Sequence, residues 1–127
     1  MSWSHAIGLA VAGGLGTLAR AGVAELALRW WGRGFPWGTF IVNVFGGLLF
    51  GLIMALGRGR LALPAGLETV LLVGFLGGFT TYSSFAFQSY ELFEQGRLLA
   101  AAGNVLGTTT VALLAVAVGL QLGRLAG

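Results

Sequence analysis

Residues 74–85 read GFLGGFTTYSSF, and the reading of this stretch decides the fold. It lies inside an apolar run that starts near Pro64 and continues to about Phe93. A bilayer-crossing helix needs roughly 20 mostly apolar residues, so the run is long enough to span a membrane. Its middle is nevertheless poor helix material. The Gly77–Gly78 pair is followed by β-branched Thr80 and Thr81, then by Ser83 and Ser84, residue types that disfavour a helix interior. The stretch therefore predicts a membrane helix broken near Gly77–Thr80. A break at that depth frees backbone amides and carbonyls, which is tolerated only where they bind something or face a cavity. Freed carbonyl oxygens suit a hard monovalent cation; hydroxyls and the N-terminus of the second half-helix suit an anion. The alternative is a continuous helix whose Ser and Thr bond back to their own carbonyls.

Outward from this run, the chain divides at its charges and prolines into three further spans: about His5 to Leu28, Trp37 to Leu56 and Leu98 to Leu122. Pro36 and Pro64 sit where the second and third spans begin, where proline is tolerated in a helix's first turn. Of the 127 residues, 57% are hydrophobic and 9% charged, with a mean hydropathy of +0.90. Soluble domains are about 25% charged, and disorder requires low hydrophobicity, so both are excluded. The connections WWGRGFP, GRGRLAL and EQGR are too short to be domains, and residues 1–127 form one all-α, four-span unit. The opening MSWSHA has no basic region and no cleavage site follows the first apolar run, so no removable signal peptide is expected.

The formal net charge is +3, carried by seven arginines and four glutamates. The arginines are dispersed, which argues against nucleic acid as a partner. Arg58, Arg60 and Arg124 fall on one side of the membrane, and Arg29, Arg33 and Arg97 on the other. Orientation follows such loop asymmetry. With none, insertion both ways round and an antiparallel dimer become the expectation. Glycines such as the Gly47/Gly51 and Gly103/Gly107 pairs allow close helix approach in lipid.

No enzyme is expected. The chain has no Cys, no Asp and a single His, so thiol chemistry, Ser-His-Asp arrangements and histidine metal pairs are out of reach. The informative residues are polar ones at membrane depth: Arg20 in the first span, Asn43 in the second, and Asn104, Thr108, Thr109 and Thr110 in the fourth. Asparagine, serine and threonine are uncharged donors, suited to a small hydrated anion whose water must be replaced. Tyr82 and Phe85 share a helix face, and aromatic ring edges are weakly positive. Glu25 precedes Arg29 by four residues, spacing that suits a helical ion pair, and Glu91 and Glu94 lie beside Arg97; both sets read as interfacial anchors rather than proton carriers.

Together, GGLGTLAR (Gly13–Arg20), PWGTFIVNVFGGLLFG (Pro36–Gly51) and GFLGGFTTYSSF (Gly74–Phe85) resemble the Fluc, or CrcB, fluoride channels in order and spacing over nearly the whole chain. The resemblance implies a dual-topology antiparallel dimer in the cell (plasma or inner) membrane, with two pores that export toxic fluoride passively and discriminate against chloride. It implies a fluoride path along Thr39, Asn43, Tyr82, Ser83, Ser84, Phe85 and Thr108. It further implies a structural sodium ion (Na+) on the backbone carbonyls of Gly77 and Thr80 at the dimer centre, and a family arginine at Arg20.

Two positions depart from the family pattern. Tyr82 stands where Phe is usual, adding a hydroxyl, and Gln88 where many members carry Glu, removing a charge from the vestibule. Some bacteria pair two dissimilar chains, so a heterodimer is a possible form; the balanced arginines favour a homodimer. A small proton-coupled drug antiporter is the rival from another class, and would need a mid-span carboxylate, for which Glu25 is the sole first-span candidate. A non-transporting membrane subunit would leave the broken span without a use.

Overall fold

The computed structural model describes residues 1–126, and they are helical almost throughout. Four segments are long and apolar enough to cross a membrane: α1 (Trp3–Trp31), α2 (Trp37–Arg58), the segment Ala65–Glu94, and α6 (Leu98–Ala126). The third crosses in two pieces. Its first half comprises α3 (Ala65–Thr69), a π-helical stretch (Val70–Phe75) and α4 (Leu76–Phe79). Thr80 and Thr81 are then extended, and α5 (Tyr82–Glu94) completes the crossing. The expected break is present, at the far end of the interval named for it. Gly77 and Gly78 themselves lie inside α4.

The glycine pair stays helical because it serves packing. A side chain on Gly78 would overlap the carbonyl of Gly13, and one on Gly16 would overlap that of Phe75, so α1 crosses the first half-helix backbone against backbone. The α2–α6 pair meets in the same way: Gly51 lies against the Val116 carbonyl and Gly119 against that of Leu48. Close backbone approach of this kind holds helices together in lipid, where apolar burial gives no net drive. Gly103 and Gly107 face open space instead, so only one of the two spaced glycine pairs is used within the chain.

Val42 of α2 and Leu72, Leu76 and Phe79 of the first half-helix form the buried core. Thr80 leaves the helix beside this core, its methyl filling the space left open by Gly46. Thus α1 covers the first half of the broken span, while α6 covers α2 and α5, and the break is exposed to the groove between them.

Candidate functional site

Two side chains from other helices hold the break open. Asn43 of α2 accepts a hydrogen bond from the Thr81 N–H (2.8 Å) and donates from Nδ2 to the Thr81 carbonyl (3.0 Å). It thus replaces both bonds that a continuous helix would have given that residue. Arg20 of α1 donates from Nε to the Gly78 carbonyl (2.9 Å), placing a cation at the C-terminal end of α4 where it opposes the helix dipole. Thr81 then starts α5: its Oγ1 accepts from the Ser84 N–H at 3.2 Å, as an N-cap residue does.

These substitutions leave a definite remainder. The carbonyl of Gly77 would in a helix accept from the Thr81 N–H, which is committed to Asn43. That of Thr80 would accept from the Ser84 N–H, which is committed to Thr81 Oγ1. Both therefore lose their helical partners and keep open lone pairs, the donor chemistry a monovalent hard cation takes. Among the described residues, no group of three His, Cys, Asp or Glu side chains could hold a metal.

Beside the break lies an open groove of about 230 Å³, lined by Asn43, Thr80, Thr81, Tyr82, Phe85, Thr108 and Thr109, with Ala112. The Tyr82 and Phe85 rings stand 5.8 Å apart, centroid to centroid, at 48°. Tyr82 is 80% exposed, so most of its ring stands clear of its own chain. Asn43 spends one Nδ2 hydrogen on Thr81 and keeps the other. Among the described residues, the Thr109 and Tyr82 hydroxyls bond nothing within the chain. The groove therefore has three uncommitted neutral donors and no carboxylate in its wall.

Thr39 lies four residues before Asn43 on α2, and Gln88 three after Phe85 on α5. One helical turn, about 5.4 Å, separates these residues from the groove, and both line a second cavity of about 100 Å³. A third cavity, of about 380 Å³, shares Leu28, Phe35, Pro36 and Gln88 with the second and opens beside Arg33, Glu91 and Gln95 at the end of the molecule. Gln88 Oε1 is buried and bonds nothing among the described residues. A buried acceptor without a donor at such a point is a place for water.

Of the residues named from sequence, Asn43, Thr80, Tyr82, Phe85 and Thr108 come together around one groove. Thr39 lies in the adjoining cavity. Ser83 and Ser84 form the N-terminal turn of α5, where Thr81 Oγ1 donates to Ser84 Oγ at 3.1 Å, and neither lines the groove. Arg20 acts on the break from α1. The sequence reading did not select Thr109, Asn104 or Ser89. Asn104 and Thr109 were visible as polar residues at depth, but the side on which each points was not. Ser89 gave no signal, because its partner Asn104 lies fifteen residues away on another helix.

The model of the family described as "CrcB-like protein, Camphor Resistance (CrcB)" matches residues 7–120. A protein of Solidesulfovibrio magneticus named fluoride-specific ion channel FluC is 45% identical over 117 residues, covering 92% of this chain and 94% of its own length. Its namesake in Nitratidesulfovibrio vulgaris is 46% identical over 117 residues, with the same two coverages of 92% and 94%. That of Nitrobacter winogradskyi is 36% identical over 124 residues, 98% of each chain.

Proposed function

Because the chain belongs to the CrcB-like family, we propose that it works as a fluoride-specific ion channel, a multi-pass protein of the cell membrane that lets fluoride leave passively. The observation that carries this reading is the groove at the break, walled by neutral donors, with two further cavities beyond it that share Gln88 and reach Arg33 and Glu91 at the end of the molecule. Fluoride holds its water strongly, so a site that strips it must offer hydrogen bonds in exchange. The free Nδ2 hydrogen of Asn43, the hydroxyls of Thr39, Thr108 and Thr109, and the ring edges of Tyr82 and Phe85 are the donors assigned to that exchange, while Ser83 and Ser84, which stand outside the groove lining, shape the start of α5 beside it. Neutral donors stabilise the ion without trapping it, as conduction requires. The Arg20 guanidinium, with its remaining N–H groups, raises the local anion concentration.

The working unit is an antiparallel homodimer with two fluoride paths. Such a dimer is supported by the balanced distribution of loop arginines and by the exposure of the Tyr82 ring, which leaves it available to a second copy. Where the two copies meet, the carbonyls of Gly77 and Thr80 from each are the groups that would hold a sodium ion. Their loss of helical partners fits that role. When bound, the ion supplies fixed positive charge that joins the copies. The antiporter reading has no support at its key residue: Glu25 is paired with Arg29 at 2.8 Å, and both are exposed.

Replacing a pore donor or ring tests the assignment. Asn43→Ala and Phe85→Ala each lower fluoride efflux from liposomes by about tenfold or more while the protein still elutes as a dimer. Efflux equal to the parent in both variants would remove these residues from the path.

A further inference from the structure

Asn104 is the most deeply buried polar side chain of the protein, with 0% exposure, and it stands behind the groove rather than in its lining. It stands within a chain of three hydrogen bonds that run in one direction. Thr108 Oγ1 donates to Asn104 Oδ1 (3.2 Å), Asn104 Nδ2 donates to Ser89 Oγ (2.8 Å), and Ser89 Oγ donates to the Phe85 carbonyl (2.7 Å). Both ends of this chain, Thr108 and Phe85, line the groove. Asn104 thus ties the α6 wall to the α5 wall from behind.

The direction of the chain has a chemical consequence. Threonine has one hydroxyl proton, and that of Thr108 points at Asn104, away from the groove. An anion in the groove meets Thr108 as an oxygen lone pair until the hydroxyl turns. When it turns, Asn104 Oδ1, fully buried, loses its donor, and a stranded buried acceptor is costly. Only an anion that binds the proton more strongly than an amide carbonyl does can recover that cost. Fluoride is the strongest hydrogen-bond acceptor among the halides, and chloride is a weak one.

Resting on the reading of the chain as a fluoride channel, we propose that Asn104 is a positioning residue that sets anion specificity: it withholds the Thr108 proton from anions that are weak acceptors and yields it to fluoride. Asn104 touches no ion. It acts through Thr108, and through Ser89 it keeps the Phe85 backbone in register with that hydroxyl.

The test compares fluoride and chloride release from liposomes carrying the full-length chain, its Asn104→Leu and Asn104→Ser variants, and each of these combined with Thr108→Val. Leucine fills the same space without an acceptor; serine is the smaller variant, whose hydroxyl bonds the Thr108 proton less well than the amide does. The parent must release fluoride and not chloride; if it does not, the fluoride-channel reading itself fails. Given a selective parent, removing Asn104 frees the Thr108 proton for either anion. The fluoride-to-chloride ratio then falls by about tenfold as chloride release rises, and Thr108→Val in the same background restores the ratio at lower fluoride flux. An unchanged ratio, a proportional loss of both fluxes, or a lowered ratio that Thr108→Val does not restore overturns the proposal, because a residue that only braces the helices would give one of those three results.

Discussion

At the residue scale the site turns on which hydrogen bonds are already committed. Asn43 is a structural brace on both sides of Thr81 and keeps one N–H for the groove. Its removal therefore has two separable effects. Asn43→Ala leaves the Thr81 N–H and carbonyl without partners at depth, at about 1–3 kcal/mol for each group that stays dry, and lowers the unfolding temperature in detergent as well as the flux. Tyr82→Phe behaves differently. The hydroxyl bonds nothing within the chain and the ring is largely exposed, so the unfolding temperature stays within the range of a surface change, about 0.5 kcal/mol, and selective fluoride release persists. A Tyr82→Phe variant as unstable as Asn43→Ala would show that the hydroxyl has a structural partner. Asn43 stood out in sequence because a polar residue at membrane depth needs a reason, whereas Tyr82, Phe85 and Thr108 were singled out from similar neighbours by the family resemblance. Bond commitment was not legible, since it depends on which helix stands opposite.

The broken third span sets the lesson at the element scale. Composition predicted a break and attributed it to Gly77 and Gly78 as much as to the threonines. The glycines remain in α4 because α1 presses on them, and the actual break is the extended pair Thr80–Thr81 with Thr81 as N-cap. A glycine in a helix interior costs about 0.5–1 kcal/mol relative to alanine, which close backbone packing can offset, and sequence does not show what packs where. The span limits were read to within a few residues, but the π-helical stretch Val70–Phe75 carries no periodic signal and was not foreseen. If Thr81 is the cap, Thr81→Val costs about 1 kcal/mol, seen as a lower thermal midpoint, while Thr81→Ser retains most of it. Equal stability of the valine and serine variants would contradict the cap.

On the scale of the whole molecule, the two spaced glycine pairs have different fates. Gly51 and Gly119 are pressed against the facing carbonyls of the α2–α6 pair, whereas Gly107 has nothing within reach. Gly119→Leu should therefore abolish recovery of folded protein by size-exclusion chromatography, and Gly107→Leu should leave the folded chain recoverable. Loss of folded protein in both would mean that the open face is packed within the chain. Apolar side chains such as Leu18, Val73, Leu106 and Leu113 remain exposed, as lipid-facing or partner-facing positions do in a bundle of this size. The number of spans followed from hydropathy together with the charges and prolines that divide them. The pairing of α1 with the first half-helix and of α2 with α6 did not, because every helix offers small residues and only three-dimensional fit selects among them.

The most direct measurement is efflux from liposomes that contain this chain alone, followed with a fluoride electrode and, in parallel, a chloride electrode. Rapid fluoride release with no chloride release is the predicted result, and it would establish a self-sufficient selective channel. Well-folded protein that releases neither ion, or both at similar rates, would contradict the account.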